Sequence, residues 1–118
     1  MTVKLALLKS GEDVIADIQE MIIGEPGDQK VVGYFFNKAC VVKMRTTEET
    51  KDKSYQISLF PWISLTKDTK IPVINDWVIT LVEPIDTLKQ MYVNDVLNNG
   101  KNNQDTISTK QSNSDNSN

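Results

Sequence analysis

The sequence predicts a mainly β protein with five strands, a C-terminal helix and a polar tail. Two observations predict the folded part: apolar runs rich in β-branched and aromatic residues alternate with polar turns as far as residue 82, and apolar residues then recur at helical spacing. A third observation indicates where the folded part ends. Residues 98–118 are almost entirely polar and cannot bury enough apolar surface to offset their ordering entropy. We expect one domain over 1–97 and a flexible tail over 98–118.

The first strand is predicted over 3–8 (VKLALL), but the next stretch, SGEDVIADIQEMII (10–23), fits two structures. Ser10 and Asp13 resemble a helix-capping box, and the apolar residues after them recur at helical spacing. Against the helix, five residues are β-branched, and a glycine-containing turn between two apolar runs is typical of a hairpin. Considered locally, the two interpretations are nearly even.

The remaining strands are predicted over 31–45, 55–65 and 77–82. The first of these is long, and its Asn37-Lys38 pair indicates a bulge or a sharp bend. Pro61 lies inside the second, which requires an edge position, a bulge or a kink there because proline cannot donate to a ladder.

The helix is predicted over 84–97, PIDTLKQMYVNDVL. Pro84 suits the first helical position, and Asp86 lies where the helix dipole favours an anion. Gly100 lies just beyond the expected end.

Composition excludes several classes of function. With 118 residues, a net charge of −3 and 39% hydrophobic residues, the chain is typical of a soluble domain without a generally basic surface. The sequence contains no histidine and one cysteine, Cys40, so it predicts neither a catalytic group nor a metal site and requires no cofactor. We find no apolar run that could cross a membrane and no signal peptide, and we expect a cytoplasmic protein.

Four segments carry a resemblance to a known family: LLKSGEDVIADIQ, VVGYFF, FPWISLTKDTKIPV and NDWVITLVEP. Together they resemble the small Sm-like proteins of phages that infect marine cyanobacteria, within the Sm/Hfq superfamily of RNA-associated rings. The resemblance covers residues 3 to about 92. It implies a small, strongly bent, five-stranded antiparallel barrel whose subunits join edge strands into a homo-oligomeric ring in the host cytoplasm. On this basis we predict that 10–23 is the second strand.

The same resemblance suggests where ligand and neighbour would bind. The superfamily's uracil pocket uses an Asp-x-x-Met-Asn type pattern and an Arg-Gly pair, and only Asp17 fits it here. The nearest polar substitutes complete a tentative RNA-binding set of Asp17, Lys67, Lys70 and Asn75. The tentative subunit interface is Phe60, Trp62, Trp77 and Ile79. The two tryptophans could instead stack on bases, but core or interface anchoring is the more common role of such residues.

Three classes of function follow from these observations. The first is a non-enzymatic, ring-forming Sm-like protein that binds single-stranded RNA through a non-standard pocket. The second is a protein–protein scaffold or assembly factor, with the 98–118 tail engaging a partner. The third, an enzyme, lacks any pair of groups that would specify a catalytic centre.

Overall fold

The computed structural model describes residues 2–46 and 55–98, which form one antiparallel sheet and a short helical segment. The sheet contains β1 (Val3–Leu8), β2 (Asp13–Ile23), β3 (Lys30–Thr46), β4 (Tyr55–Pro61), β5 (Lys70–Ile74) and β6 (Val78–Val82). A 3₁₀ turn (Asn75–Trp77) joins β5 to β6, and helix α1 (Asp86–Tyr92) runs directly into a π-helical turn (Val93–Leu97). The mainly β class is therefore confirmed, with a helical segment that begins two residues after Pro84. The predicted tail, apart from Asn98, lies outside the described residues.

The ambiguous stretch after β1 is a strand. β2 pairs antiparallel with β1, with Asp17 opposite Val3 and Asp13 opposite Leu7. Its turn is closed by a hydrogen bond from the Leu8 N–H to the Glu12 carbonyl (3.0 Å), and Gly11 adopts a positive φ of 91° within it. That left-handed conformation suits glycine, which has no Cβ to clash. The helical spacing of the apolar residues was thus overridden by pairing within the hairpin.

β3 is bent by a bulge where the sequence predicts one. Ile15 lies opposite Cys40 and Asp17 opposite Asn37, so Lys38 and Ala39 together face one residue of β2. Lys38 has a φ of 54°, in the left-handed region. Such a two-against-one arrangement increases the local bend and twist of a strand.

The predicted number of five strands is wrong, because two separate strands, β4 and β5, pair with one edge of β3. β4 pairs with Cys40–Thr46, and β5 pairs with Gly33–Asn37, so the two follow one another along the same edge. The bulge at Lys38 prevents one regular strand from following β3 throughout. The chain therefore leaves the ladder after Pro61, four residues before the predicted end, and returns at Lys70.

Both faces of the sheet bury apolar side chains. The helix-side core consists of Val3, Ile15, Cys40, Ile57, Leu59, Leu88, Tyr92 and Val96. The opposite core consists of Ala6, Leu8, Val14, Ala16, Ile18, Phe36, Ala39 and Val73. Successive β2 residues such as Ile15 and Ala16 enter different cores, because neighbouring side chains of a strand point to opposite faces.

The sheet is not closed within the described residues. Its order is β4-β3-β2-β1-β6, with β5 beside β3, so β4 and β6 each have one partner strand and are not joined to each other.

The described part of the chain contains no helix with the length and apolar character needed to span a bilayer.

Candidate functional site

A groove of about 290 Å³ lies between the β3 bulge, the 62–69 loop and the π-helical turn. Its lining comprises Lys38, Ala39, Cys40, Pro61, Trp62, Ile63, Ser64, Thr66, Lys67, Asp68, Thr69, Ile71 and Val96. This volume is at the lower end of the range for small-molecule sites, which is roughly 300–1,000 Å³.

Two backbone hydrogen bonds fix the walls of the groove. The Lys38 N–H donates to the Thr69 carbonyl at 2.7 Å, and the Trp62 N–H donates to the Ala39 carbonyl at 3.0 Å. Both ends of the 62–69 loop are thereby attached to the bulge of β3. The groove is consequently a direct product of the split between β4 and β5.

Trp62 is held at two points while it lines the groove. Its ring packs against Phe36, with 5.8 Å between ring centroids and a 40° tilt. Its Nε1–H donates to Glu12 Oε1 at 3.2 Å. The side chain is half-buried, so the indole is restrained without being sealed inside the core. A restrained aromatic face binds a planar ligand with a smaller loss of side-chain entropy.

The charged groups of the groove are two lysines, Lys38 and Lys67, and one carboxylate, Asp68. Hydroxyl groups from Ser64, Thr66 and Thr69 accompany them in the lining, of which the Thr66 Oγ1 accepts a hydrogen bond from the Asp68 N–H at 3.0 Å. The groove thus combines two lysines, hydrogen-bonding groups and an aromatic ring.

The tentative RNA-binding residues do not form one cluster, and Lys67 is the member that lines the groove. Asp17 Oδ1 accepts a hydrogen bond from the Thr2 N–H at 2.9 Å. The Asn75 side-chain amide donates to the Val31 carbonyl at 3.3 Å. Lys70 Nζ lies 5.0 Å from the centre of the Phe35 ring, a cation–π distance.

The tentative interface residues occupy different positions. Phe60 on β4 is 42% exposed, and Ile79 on β6 is 58% exposed. Trp77, 41% exposed, lies in the turn before β6, and its carbonyl accepts from the Lys9 N–H at 2.9 Å. Trp62 instead contacts the opposite core and the groove.

Sequence reasoning missed most of the groove because its residues come from separate elements. Cys40 is on β3, Ile71 on β5 and Val96 on the π-helical turn. The available signal was the Asn37-Lys38 pair, which predicts the bulge but not which segments meet beside it.

A second, wider depression of about 490 Å³ lies over β2 and includes Lys4, Glu20, Tyr34 and Leu81 in its lining. Near it, Lys4 forms an ion pair with Glu83. The hydrogen bond from Lys4, together with its charge, lowers the pKa of Glu83. Both groups are at the surface, so this pair contributes little to stability.

The described residues offer no group of three or more histidine, cysteine, aspartate or glutamate side chains suited to a metal ion. Burial raises the pKa of the Cys40 thiol to about 12, which keeps it protonated at neutral pH. A protonated, buried thiol is a poor nucleophile. The groove is therefore suited to binding more than to covalent chemistry at Cys40.

Comparison with known proteins yields no match for this chain, either to a protein-family model or to a curated protein.

Proposed function

We propose that this protein is a non-enzymatic, ring-forming Sm-like module that binds single-stranded RNA. The proposal combines the resemblance of residues 3 to about 92 with two features of the fold, the unpaired edges of the sheet and the mixed polar and aromatic groove.

The unpaired edges carry the assembly part of the proposal. Within the described residues, β4 and β6 each leave one row of backbone N–H and C=O groups without a partner strand. Phe60 on one edge and Ile79 on the other expose much of their side chains. Free edges promote uncontrolled association unless they are covered, and pairing β4 of one copy with β6 of the next would cover both in a closed cycle.

The groove supports the binding part. The chain as a whole is acidic, with a net charge of −3, so contact with a polyanion has to be local. Lys38 and Lys67 supply a local positive charge beside the Trp62 ring. Lysines that contact phosphates and aromatic rings that stack on bases are the usual components of single-strand recognition.

Light scattering on the purified full-length chain, with and without RNA, tests the assembly. The proposal predicts a mass that is a fixed multiple of 13.3 kDa at micromolar concentration. A monomer across the concentration range would overturn the ring.

A titration against short U-rich and A-rich RNAs at two salt concentrations tests the ligand. Binding that weakens as salt increases supports RNA recognition, because released counterions contribute to the affinity. The absence of binding at micromolar protein would remove the RNA part of the proposal and leave the ring untouched.

A protein–protein scaffold is the second candidate, and the 62–69 loop favours it. Leu65 is 98% exposed and Ile63 is 45% exposed on this loop. Apolar side chains placed together at a surface often mark a protein contact. Two results together would favour the scaffold. The ring would bind no RNA, and a protein that co-purifies with the wild type would be lost in Leu65→Ser but retained in the control variant Ile22→Ser.

A further inference from the structure

We propose that the groove beside the β3 bulge binds one nucleotide unit, with the base against Trp62 and the phosphate near Lys38 and Lys67. This inference rests on the proposed function and assigns its ligand to a defined place. The shared chemistry is a planar heterocycle joined to a phosphate, supplied either by single-stranded RNA or by a free nucleotide.

The size and shape of the groove are the first evidence for binding of one nucleotide unit. A cavity of about 290 Å³ is suited to a single small ligand, not to a folded segment. It is bounded on separate sides by the β3 bulge, the 62–69 loop and Val96 of the π-helical turn. A flat ring can therefore enter while the rest of a strand continues outside.

The restraint of Trp62 carries the second step. Its Nε1–H is already occupied by Glu12, and its ring is already packed on Phe36. The indole therefore offers the groove an aromatic surface and not a hydrogen-bond donor. Stacking on such a surface discriminates little between bases, since every base has a π face.

Charge carries the third step. The lining carries two lysines and one carboxylate, and a further carboxylate, Glu12, lies beside the groove on the indole nitrogen of Trp62. A phosphate can pair with Lys38 and Lys67, whereas a neutral apolar ligand gains nothing from their ammonium groups. The exposed Lys67 can move to meet a phosphate, and Lys38 is held at the rim by the bulge.

The test uses the full-length chain with fluorescein-labelled oligo-U, followed by anisotropy, and uridine monophosphate as the free-nucleotide probe. Trp62→Leu keeps an apolar side chain against Phe36 but removes the aromatic surface, and should weaken oligo-U binding about 5- to 150-fold. Lys67→Gln should reduce the slope of log affinity against log salt by about 0.7. Lys89→Gln, on the exposed side of α1, is the matched control and should leave both quantities unchanged.

The outcomes separate this inference from the proposed function. Weaker binding by Trp62→Leu and Lys67→Gln, with unchanged binding by Lys89→Gln, supports the groove. Wild-type affinity in both groove variants overturns the groove while RNA binding by the protein stands. Uridine monophosphate could also bind as tightly as oligo-U and with the same sensitivity to Lys67→Gln. That result would support nucleotide binding in the groove but would overturn single-stranded RNA as the source of the nucleotide. If neither probe binds the wild-type chain, both proposals of RNA recognition fail together.

Trp62→Leu also needs a check on folding, because Trp62 contacts Phe36. Its circular dichroism and urea unfolding are compared with the wild type before binding is measured. Lys67 is exposed, so Lys67→Gln tests the groove even if Trp62→Leu does not fold.

Discussion

The Tyr92 hydroxyl donates to the Lys38 carbonyl oxygen at 2.9 Å, which links the helical segment to the bulge of β3. The Asn37 carbonyl, at 3.0 Å, shares the same hydroxyl proton. Tyr92 is fully buried, and its ring packs in the helix-side core. The residue therefore stabilises the left-handed conformation at the bulge from the helix-side core.

Tyr92→Phe should lower the free energy of unfolding by about 1–2 kcal/mol, because two part-buried carbonyl groups lose their shared donor while the ring packing is retained. Urea unfolding at pH 7 measures the change. Tyr34→Phe is the control, because the half-buried Tyr34 has no hydrogen bond from its hydroxyl to another described residue, and it should stay within about 0.5 kcal/mol of the wild type. Equal effects of the two substitutions would contradict the role assigned to Tyr92.

The φ of 54° at Lys38 predicts an unusual order of stability among variants at this position. Lys38→Val should cost about 1–2 kcal/mol, because a β-branched residue is disfavoured in the left-handed region, whereas Lys38→Gly should be at least as stable as the wild type. Lys43→Val, in the same strand, is the matched control and should be nearly neutral, because valine favours a strand. Thermal unfolding ranks the variants, and a Lys38→Gly protein less stable than Lys38→Val would refute the strain.

Charges on the free edges should disrupt the proposed ring. Ile79→Lys on β6 and Phe60→Lys on β4 each place a lysine where a neighbouring strand would pair, a device that natural proteins use to protect edges. Light scattering should show a shift toward the monomer mass for either variant. Ile22→Lys, at an exposed position of β2 that pairs with β3 and lies on neither β4 nor β6, should retain the wild-type mass. An unchanged mass in both edge variants would place the subunit contact elsewhere.

Alkaline pH should reduce stability partly through Cys40. Burial raises its pKa from 9.0 to about 12, so above pH 9 the unfolded chain loses a proton that the folded chain retains. The contribution is fully present below pH 9 and is lost as the pH rises towards 12, at up to about 1.4 kcal/mol per pH unit. Burial also raises the pKa of Tyr92, which acts in the same direction.

Cys40→Ala isolates the cysteine contribution. Its free energy of unfolding, measured in urea between pH 7 and 11, should approach that of the wild type as the pH rises above 9. A constant difference across that range would show that Cys40 titrates alike in the folded and unfolded chains.

Local pattern was enough to predict most strands, because their apolar residues are buried by neighbours in the same sheet. The bulge was also predictable, since Asn37 and Lys38 interrupt an apolar run. The fourth predicted strand, over 55–65, was by contrast too long: its apolar run continues from Pro61 to Leu65, yet Leu65 is 98% exposed. β5 was missed because it is five residues long and contains Pro72, which a strand tolerates at an edge.

The candidate site was less predictable than the fold. Lys67 could be singled out as a polar residue near the pocket expected from the Sm-like resemblance, but its neighbours depend on which segments the bulge brings together. Asp17 and Asn75 had suitable chemistry in the sequence, and the structure gives each of them a hydrogen bond to backbone groups. Whether a polar residue is available to a ligand depends on tertiary contacts that spacing does not encode.

The interruption between β4 and β5 also limits how another strand can align with this side of the sheet. β4 offers a ladder of seven residues that stops at Pro61, and β6 has five residues. A five-residue strand fits along β4, whereas beyond Pro61 the chain leaves the ladder and returns to it only at Lys70. In the proposed ring, this break would therefore limit the registers that β6 of a neighbouring copy could adopt along β4.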